Sequence, residues 1–394
     1  MTQTLQLCNI ADTTMRLYEF EGNDLLRREG IPVPDYALAT NPQEAREKAQ
    51  ALGLPVVIKA QVLTGGRWLA GGVQTAQSLD QVERAARRIL GLSIRGWPVH
   101  QVMVTRKVDS VRECYLAVTL DDYHATPVAI LSAVGGVSVS KIARERPEAV
   151  ASRYVPITKG LLPSQARRMC REVGLRGAEV TRVANMLSAL YRVFRHYDAL
   201  VAEINPLVRT PKGDYLALDA KVEIDDASLY RHAELHLGLE DRIPNPLERK
   251  GRQIGVTYVE LDGDIAIIAS GAGLGMASMD IISRRMRPAN FLETGGAITA
   301  DLLYKVMDLV LQKEGIRAVF INVYGGINPI HEGAKGVVRY MQEHQVTIPV
   351  VAKALGNHQE ETWEIFQKHG VHVVTDVSTE KGIEQLSRLL EGGR

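Results

Sequence analysis

The chain has 394 residues, 45% of them hydrophobic and 24% charged, with a formal net charge of +1. That length supplies two hydrophobic cores, and the composition is that of a globular protein. The near-neutral charge argues against a polyanion-binding surface, and no apolar run reaches the roughly 18–20 residues of a membrane span.

Cys8, Cys114 and Cys170 lie far apart and form no metal-ligand spacing, which fits a reduced, cytoplasmic protein. Met1–Thr13 lacks the cationic start and apolar stretch of a secretory signal and reads as a short extension without an assigned role. Leu17, Phe20, Leu25 and Leu26 predict an opening helix over residues 15–29, and a second helix is expected over 42–52. "PVVIKAQV" reads as a strand carrying Lys59, followed by two diglycines around Arg67. A cation within an apolar strand needs an anion partner, and a glycine-rich loop lets backbone N–H groups approach phosphates. No Gly-Lys-Ser/Thr occurs, so this is not a Walker loop, and a strand-edge lysine beside a flexible turn accounts for it equally well.

Three further strands are expected in "QVMVTRKV", "CYLAVTLDD" and "HATPVAILSAVGG", then helical material over 164–197. The segment "DALVAEINPLVRTPKGDYLALDAKVEI" reads as a hairpin turning at Thr210–Asp214. A turn centred on Lys212 puts Asn205 opposite Asp219 and Glu203 opposite Lys221. Strand side chains alternate, so the four share one face, with directly paired Cβ atoms about 4.5–5.5 Å apart. An amide oxygen beside a carboxylate suits Mg²⁺, which takes oxygen ligands and borrows others from substrate phosphates. An ordinary polar hairpin face gives the same pattern.

The stretch Gly238–Arg252, charged and carrying two prolines, reads as a linker between domains spanning 14–240 and 250–394. Beyond it, apolar strands alternate with amphipathic helices, the mark of a doubly wound α/β sheet, whose ligands sit at the strands' carboxyl ends. Those ends carry Gly271–Gly275 and Gly325–Ile327. The spacing Gly271-x-Gly273-x-Gly275 misplaces the third glycine of a dinucleotide fingerprint. A helix opening there still offers N–H groups and a positive dipole end to an anion. His331, just after the second glycine loop, reads as a helix-start or surface residue in preference to a catalytic one.

The stretches "EINPLV", "LALDAKVEIDDASLYR", "YVELDGDIAIIASGAGLGMASMD", "RPANFLETGGAIT" and "INVYGGINPI" resemble the β subunit of succinate–CoA ligase and its relatives, malate–CoA ligase and ATP citrate lyase. The resemblance runs from about Leu17 to Leu390. It implies an ATP-grasp domain followed by a flavodoxin-like CoA-ligase domain. It also implies phosphoryl transfer from ATP or GTP to an organic acid through a phosphohistidine, then thioester formation with CoA. The phosphohistidine and most of the CoA pocket would belong to an α-type partner subunit in a heterodimer or heterotetramer, so no catalytic residue of that kind is expected in this chain. By the same resemblance, Lys59, Gly66, Arg67, Trp68, Thr105, Val108 and Glu113 fall at nucleotide-site positions. Asn205 and Asp219 match Mg²⁺ ligands, Ser270, Gly326, Ile327 and Asn328 face the acid, and Gly271, Gly273 and Gly275 open the helix facing the phosphohistidine.

The chain departs from the family at both sites. Gly65-Gly66-Arg67-Trp68-Leu69 stands where Gly-Gly-Arg-Gly-Lys is usual, and Thr105 replaces an acidic residue. The turn at Gly135-Gly136 continues with Val137-Ser138-Val139-Ser140 in place of acidic residues. Pro329, Ile330 and His331 replace an arginine and acidic residues, and Ser270 replaces asparagine. An acid other than succinate is therefore expected, such as malate, citrate or a sulfonated acid. The alternative is a non-catalytic regulatory or structural subunit with a decayed nucleotide site. A stand-alone ATP-grasp ligase would leave the second domain without a role.

Overall fold

The computed structural model describes residues 14–392 except 137, 138, 239–241, 244 and 297, and the side chains of 139–141. The expectations for Met1–Thr13 and for Val137-Ser138 lie outside the described residues. The chain divides into two units, Met1–Leu237 and Gly238–Arg394.

The first unit starts with strand β1 (Thr14–Arg16) and helix α1 (Glu19–Arg28). The expected single helix over 15–29 is thus corrected. Thr14–Arg16 pairs with residues 225–223, a partner more than two hundred positions away that local periodicity cannot reveal. Next come β2 (Tyr36–Ala39), α2 (Pro42–Leu52), β3 (Val56–Ala60), β4 (Val73–Ala76) and α3 (Leu79–Leu90). The short pair β5 (Ser93–Ile94) and β6 (Trp97–Pro98) precedes β7 (Val102–Arg106). Strands β2, β7, β3 and β4 form an antiparallel sheet in that order. One face buries Val56, Ile58, Ala60, Val102 and Val104 with Ala45, Ala49, Val82, Ala86 and Ile89 of α2 and α3. Strand alternation puts Val57, Lys59, Met103 and Thr105 on the other face. Asn41 and Ser78 cap α2 and α3, each accepting a backbone N–H in the first turn.

A larger antiparallel sheet follows, with β8 (Arg112–Asp121), β9 (Thr126–Ser132), β10 (Val150–Tyr154), β11 (Ala199–Arg209), β12 (Tyr215–Ala217) and β13 (Ala220–Asp225). Its order is β1-β13-β11-β8-β9-β10, with β12 paired to β11. Helix α4 (Val139–Glu145) precedes β10. The helical material expected over 164–197 consists of two helices, α5 (Pro163–Glu172) and α6 (Ala178–His196). Gly174 and Gly177 have φ of +86° and +56°, left-handed backbone that ends one helix and begins the next.

In the second unit α7 (Pro246–Gln253) lies inside the segment expected to be linker. Asn245 accepts from Leu247 N and Glu248 N while Pro246 takes the first helical position, a strong local start signal. Then come β14 (Thr257–Glu260), β15 (Ile265–Ala269), α8 (Ala272–Ile282), β16 (Asn290–Glu293) and α9 (Ala300–Leu311). The unit ends with β17 (Ala318–Gly325), α10 (Ile330–Glu343), β18 (Val350–Gly356), α11 (Gln359–Lys368), β19 (His372–Val373) and α12 (Thr379–Gly392). The sheet runs β14-β16-β15-β17-β18-β19 and is parallel except at the β14 edge. Its five parallel strands, counted along the chain, stand in the order 2-1-3-4-5, which is flavodoxin-like. The order reverses between β15 and β17, so the crevice for a ligand opens at their carboxyl ends.

Candidate functional site

In the first unit the anion partner that Lys59 requires is Glu19. Lys59 Nζ donates to Glu19 Oε1 at 2.7 Å and to the Leu218 carbonyl at 2.5 Å. Arg67, from the glycine loop, donates through Nη1 to Glu19 Oε2 at 2.5 Å and through Nη2 to Asp219 Oδ1 at 2.7 Å. The Glu19 side chain is only 1% exposed and receives one cation on each oxygen. Burial would raise its carboxyl, but Arg67 and Lys59 outweigh that and hold it below the ordinary range. Sequence reasoning missed Glu19 because it opens a helix some forty residues from Lys59. The usable signal was the unpartnered lysine itself.

The glycine loop is wound by its own backbone. Ala70 N donates to Gly66 O and Gly72 N to Arg67 O, at 3.1 and 2.8 Å. Gly66 has φ of +82°, a conformation that favours glycine. Trp68 and Leu69 point outward, 72% and 91% exposed, so the residues replacing a glycine and a lysine leave the buried network undisturbed.

The hairpin has the register expected of it. Glu203 pairs with Lys221, and Asn205 N donates to Asp219 O at 3.3 Å. Asn205 Oδ1 accepts from Gly136 N at 2.8 Å. Gly136 has φ of +74°, and a Cβ there would lie 2.5 Å from Glu113 Oε2. The glycine turn therefore lies directly between Glu113 and Asn205. Glu203 accepts from the Tyr115 hydroxyl at 3.1 Å, and burial raises its carboxyl against the opposing pull of Lys221. The Asp219 side chain is 41% exposed, and with Asn205 opposite it presents the oxygen donor set that a hard cation takes.

Lys59, Arg67 and Asp219 are thus joined through Glu19, and Glu113 and Asn205 through Gly136. Thr105 shares the sheet face of Lys59 but turns its hydroxyl to the Asp35 carbonyl at 3.0 Å. Val108 lies half-buried in the connection between β7 and β8.

In the second unit the glycine segments gather where β15, β16 and β17 end. Gly271 caps α8, and a Cβ on Gly271 or Gly273 would meet nothing within 4 Å. Gly275 is different. A Cβ there would lie 2.8 Å from the Phe291 ring, so glycine lets the helix sit close on β16. Ser270 Oγ accepts from Tyr324 N at 2.9 Å, tying the end of β15 to that of β17. Ile327 is 90% exposed, and its carbonyl accepts from Asn357 Nδ2 at 2.9 Å. Asn328 Nδ2 lies beside Gly296, bringing the turn after β16 against the acid loop. Beneath these loops Lys353 is buried, with Nζ donating to Asn322 Oδ1 at 3.3 Å, and burial lowers its pKa. Sequence reasoning missed this lysine although the strand Val350–Gly356 shows the same signal as that of Lys59, a lone cation in an apolar run.

Two family models match the chain, an ATP-grasp domain over residues 16–209 and a CoA-ligase over residues 268–385. The chain is 40% identical over 371 residues to the succinate–CoA ligase [GDP-forming] subunit beta of Thermus thermophilus, covering 94% of this chain and 98% of that one. It is 41% identical over 349 residues to the succinate–CoA ligase [ADP-forming] subunit beta of Chloroflexus aurantiacus, covering 88% and 92%. Among solved structures, ATP citrate lyase from Methanothrix soehngenii superposes with a TM-score of 0.75 at 18% identity, covering 96% of this chain and all of that one. At that identity the likeness speaks to the fold, an ATP-grasp domain followed by a CoA-ligase domain. No described helix is long and apolar enough to cross a membrane.

Proposed function

This chain belongs to the succinate–CoA ligase β-subunit family of ADP- or GDP-forming CoA ligases, and from that premise we propose that it is the nucleotide-binding subunit of such a ligase. It works with an α-type subunit that carries the phosphohistidine and most of the CoA site. The observation that carries this reading is the buried Lys59–Glu19–Arg67–Asp219 chain of charges, intact although the exposed residues beside it have changed.

In this reading Lys59 and Arg67 bind the phosphates of ATP or GTP. Glu19 holds both cations in place, and the backbone N–H groups of the glycine loop approach the same oxygens. Asn205 and Asp219 would hold Mg²⁺, which would supply charge neutralisation to the phosphates. Transfer of this kind depends mainly on positioning and charge stabilisation, which a rigid ionic network supplies. In the second unit the start of α8 at Gly271 and Gly273 presents free N–H groups to the partner's phosphohistidine. Ser270, Gly326, Ile327 and Asn328 border the organic acid.

The acid differs from succinate in our reading. Pro329 caps α10 and Ile330 is buried, so the segment after the acid loop offers neither the arginine nor the acidic groups usual there. The replaced residues favour an acid of different size or charge, such as malate, citrate or a sulfonated acid. Mixing the chain with its α partner, Mg²⁺, ATP or GTP, CoA and a panel of acids should yield nucleoside diphosphate and a thioester. No turnover with any acid despite a formed complex, or turnover confined to succinate, would contradict the respective parts of the proposal. Trp68 and Leu69 motivate the alternative of a non-catalytic subunit. Calorimetry with Mg-ATP separates the two, since micromolar binding is incompatible with a decayed site.

A further inference from the structure

The carboxyl edge of the second unit carries a set of side chains that phosphoryl transfer does not use. His331 stands in the first turn of α10, and His358 and Glu361 stand at the start of α11. The two imidazole rings have centroids 4.5 Å apart. Glu361 lies between them, 3.3 Å from His358 Nδ1 and 3.9 Å from His331 Nε2. One donor atom from each of the three residues falls within 4.8 Å of the others.

We propose that His331, His358 and Glu361 form a binding site for a zinc-class divalent cation. Three observations converge on it. The two rings and the Glu361 carboxylate bring three donor atoms close enough to be drawn onto one cation. An ion-pair cluster alone leaves the buried His331 Nδ1 without any hydrogen-bond partner, and the His331 side chain is only 13% exposed. The other nitrogen of that ring, Nε2, lies 3.1 Å from Glu332 Oε1, and Glu332 is in turn held by Lys335 at 2.6 Å. Nε2 is also the ring nitrogen recorded against Glu361, so His331 turns that edge toward both carboxylates and would offer Nε2 to the cation.

Two imidazoles and one carboxylate suit zinc and its first-row neighbours, whereas Mg²⁺ prefers an all-oxygen set. Tetrahedral donors at bonds of about 2.1 Å lie about 3.4 Å apart, close to the 3.3 Å already present between His358 Nδ1 and Glu361 Oε2. His358 and Glu361 are 49% and 48% exposed, so they are free to close the remainder by rotamer adjustment. Three protein ligands leave one position open toward solvent. The site lies at the acid loop's own end of the sheet, because Asn357, next to His358, holds the Ile327 carbonyl. The inference goes beyond the ligase reading and stands without it.

The test uses the full chain without any histidine tag, in excess Mg²⁺ so that oxygen-only sites are filled. Titration with Co²⁺ should give one ion per chain with the intense visible bands of a low-coordinate site, and Zn²⁺ should displace it in competition with a chromogenic chelator. His358→Ala, Glu361→Gln and His331→Asn should each weaken binding by roughly tenfold or more. Asp219→Asn should leave it unchanged. The substitutions at His358 and Glu361 alter half-exposed side chains, and circular dichroism confirms their folding. No Co²⁺ or Zn²⁺ binding below the millimolar range overturns the proposal. So does binding that survives both His358→Ala and Glu361→Gln.

Discussion

Arg67 donates to Asp219 Oδ1 at 2.7 Å, so a cation from the glycine loop is bonded to the carboxylate we assign to the metal. In the proposed reading, Mg²⁺ at Asp219 would compete with that bond and would release Arg67 toward phosphate. Arg67→Gln should therefore strengthen the binding of Mn²⁺, used as a probe for Mg²⁺, in the absence of nucleotide. It should weaken Mg-ATP binding by about tenfold, the equivalent of about 1.4 kcal/mol. Calorimetry of the two titrations checks both signs. Weaker binding of both ligands would show that Arg67 does not compete at Asp219.

Glu19 is the carboxylate on which both cations depend. Removing it leaves two buried positive charges facing each other, and breaking a buried pair costs about 3–5 kcal/mol. Glu19→Gln should lose stability on that order in denaturant unfolding at neutral pH. The folded-state pKa of Glu19 lies below its unfolded value of about 4.3, so its contribution is full above that value. It is lost as pH falls through the lowered folded value. The stability gap between the native chain and Glu19→Gln should therefore hold from pH 7 to about pH 5 and narrow below about pH 4. A gap independent of pH would show that the amide substitution acts by steric change.

The hairpin was the most legible part of the site. A compact turn signal and strand alternation together fix register, and Glu203 does pair with Lys221. The doubly wound second unit was legible for a similar reason, since four apolar strands separated by helices leave few arrangements. What escaped was set by distant partners or by short elements. β1 is a strand because residues 223–225 pair with it, and Glu19 joins the candidate site because Lys59 and Arg67 reach it. The edge strand β14 and its neighbour β16 have only four residues each, too few for periodicity to register. Two misses had signals available. Ser78 caps α3 ahead of Val82, Ala85, Ala86 and Ile89, and Asn245-Pro246 starts α7 within the expected linker.

Asp219→Asn and Asn205→Ala should each reduce turnover by two orders of magnitude or more while the complex with the α partner stays intact. Raising Mg²⁺ should recover part of the activity if the loss is in metal affinity. Steady-state rates over a Mg²⁺ series measure this. Full activity in Asp219→Asn would remove the metal assignment.

The glycines that open α8 should separate in their effects. Gly275→Ala puts a methyl group against Phe291, and overpacking of that kind costs about 1–3 kcal/mol. Gly273→Ala meets open space within a helix, where alanine is favoured by up to about 1 kcal/mol. It should preserve or raise stability yet slow phosphoryl exchange with the partner, because the added methyl group would stand where the proposed reading brings the phosphohistidine. Thermal unfolding and exchange rates measured on both variants check the contrast. Equal exchange rates in Gly273→Ala and the native protein would detach this helix start from the reaction.

The central claim is that this chain passes a phosphoryl group to a histidine on a separate subunit. The direct measurement mixes the chain, its α partner and Mg-ATP or Mg-GTP labelled at the γ-phosphate, without CoA or acid. The account predicts acid-labile label on a histidine of the α subunit, none on this chain, and loss of labelling with Asp219→Asn. Label retained on this chain, or an unlabelled α subunit in a complex that binds the nucleotide, would contradict it.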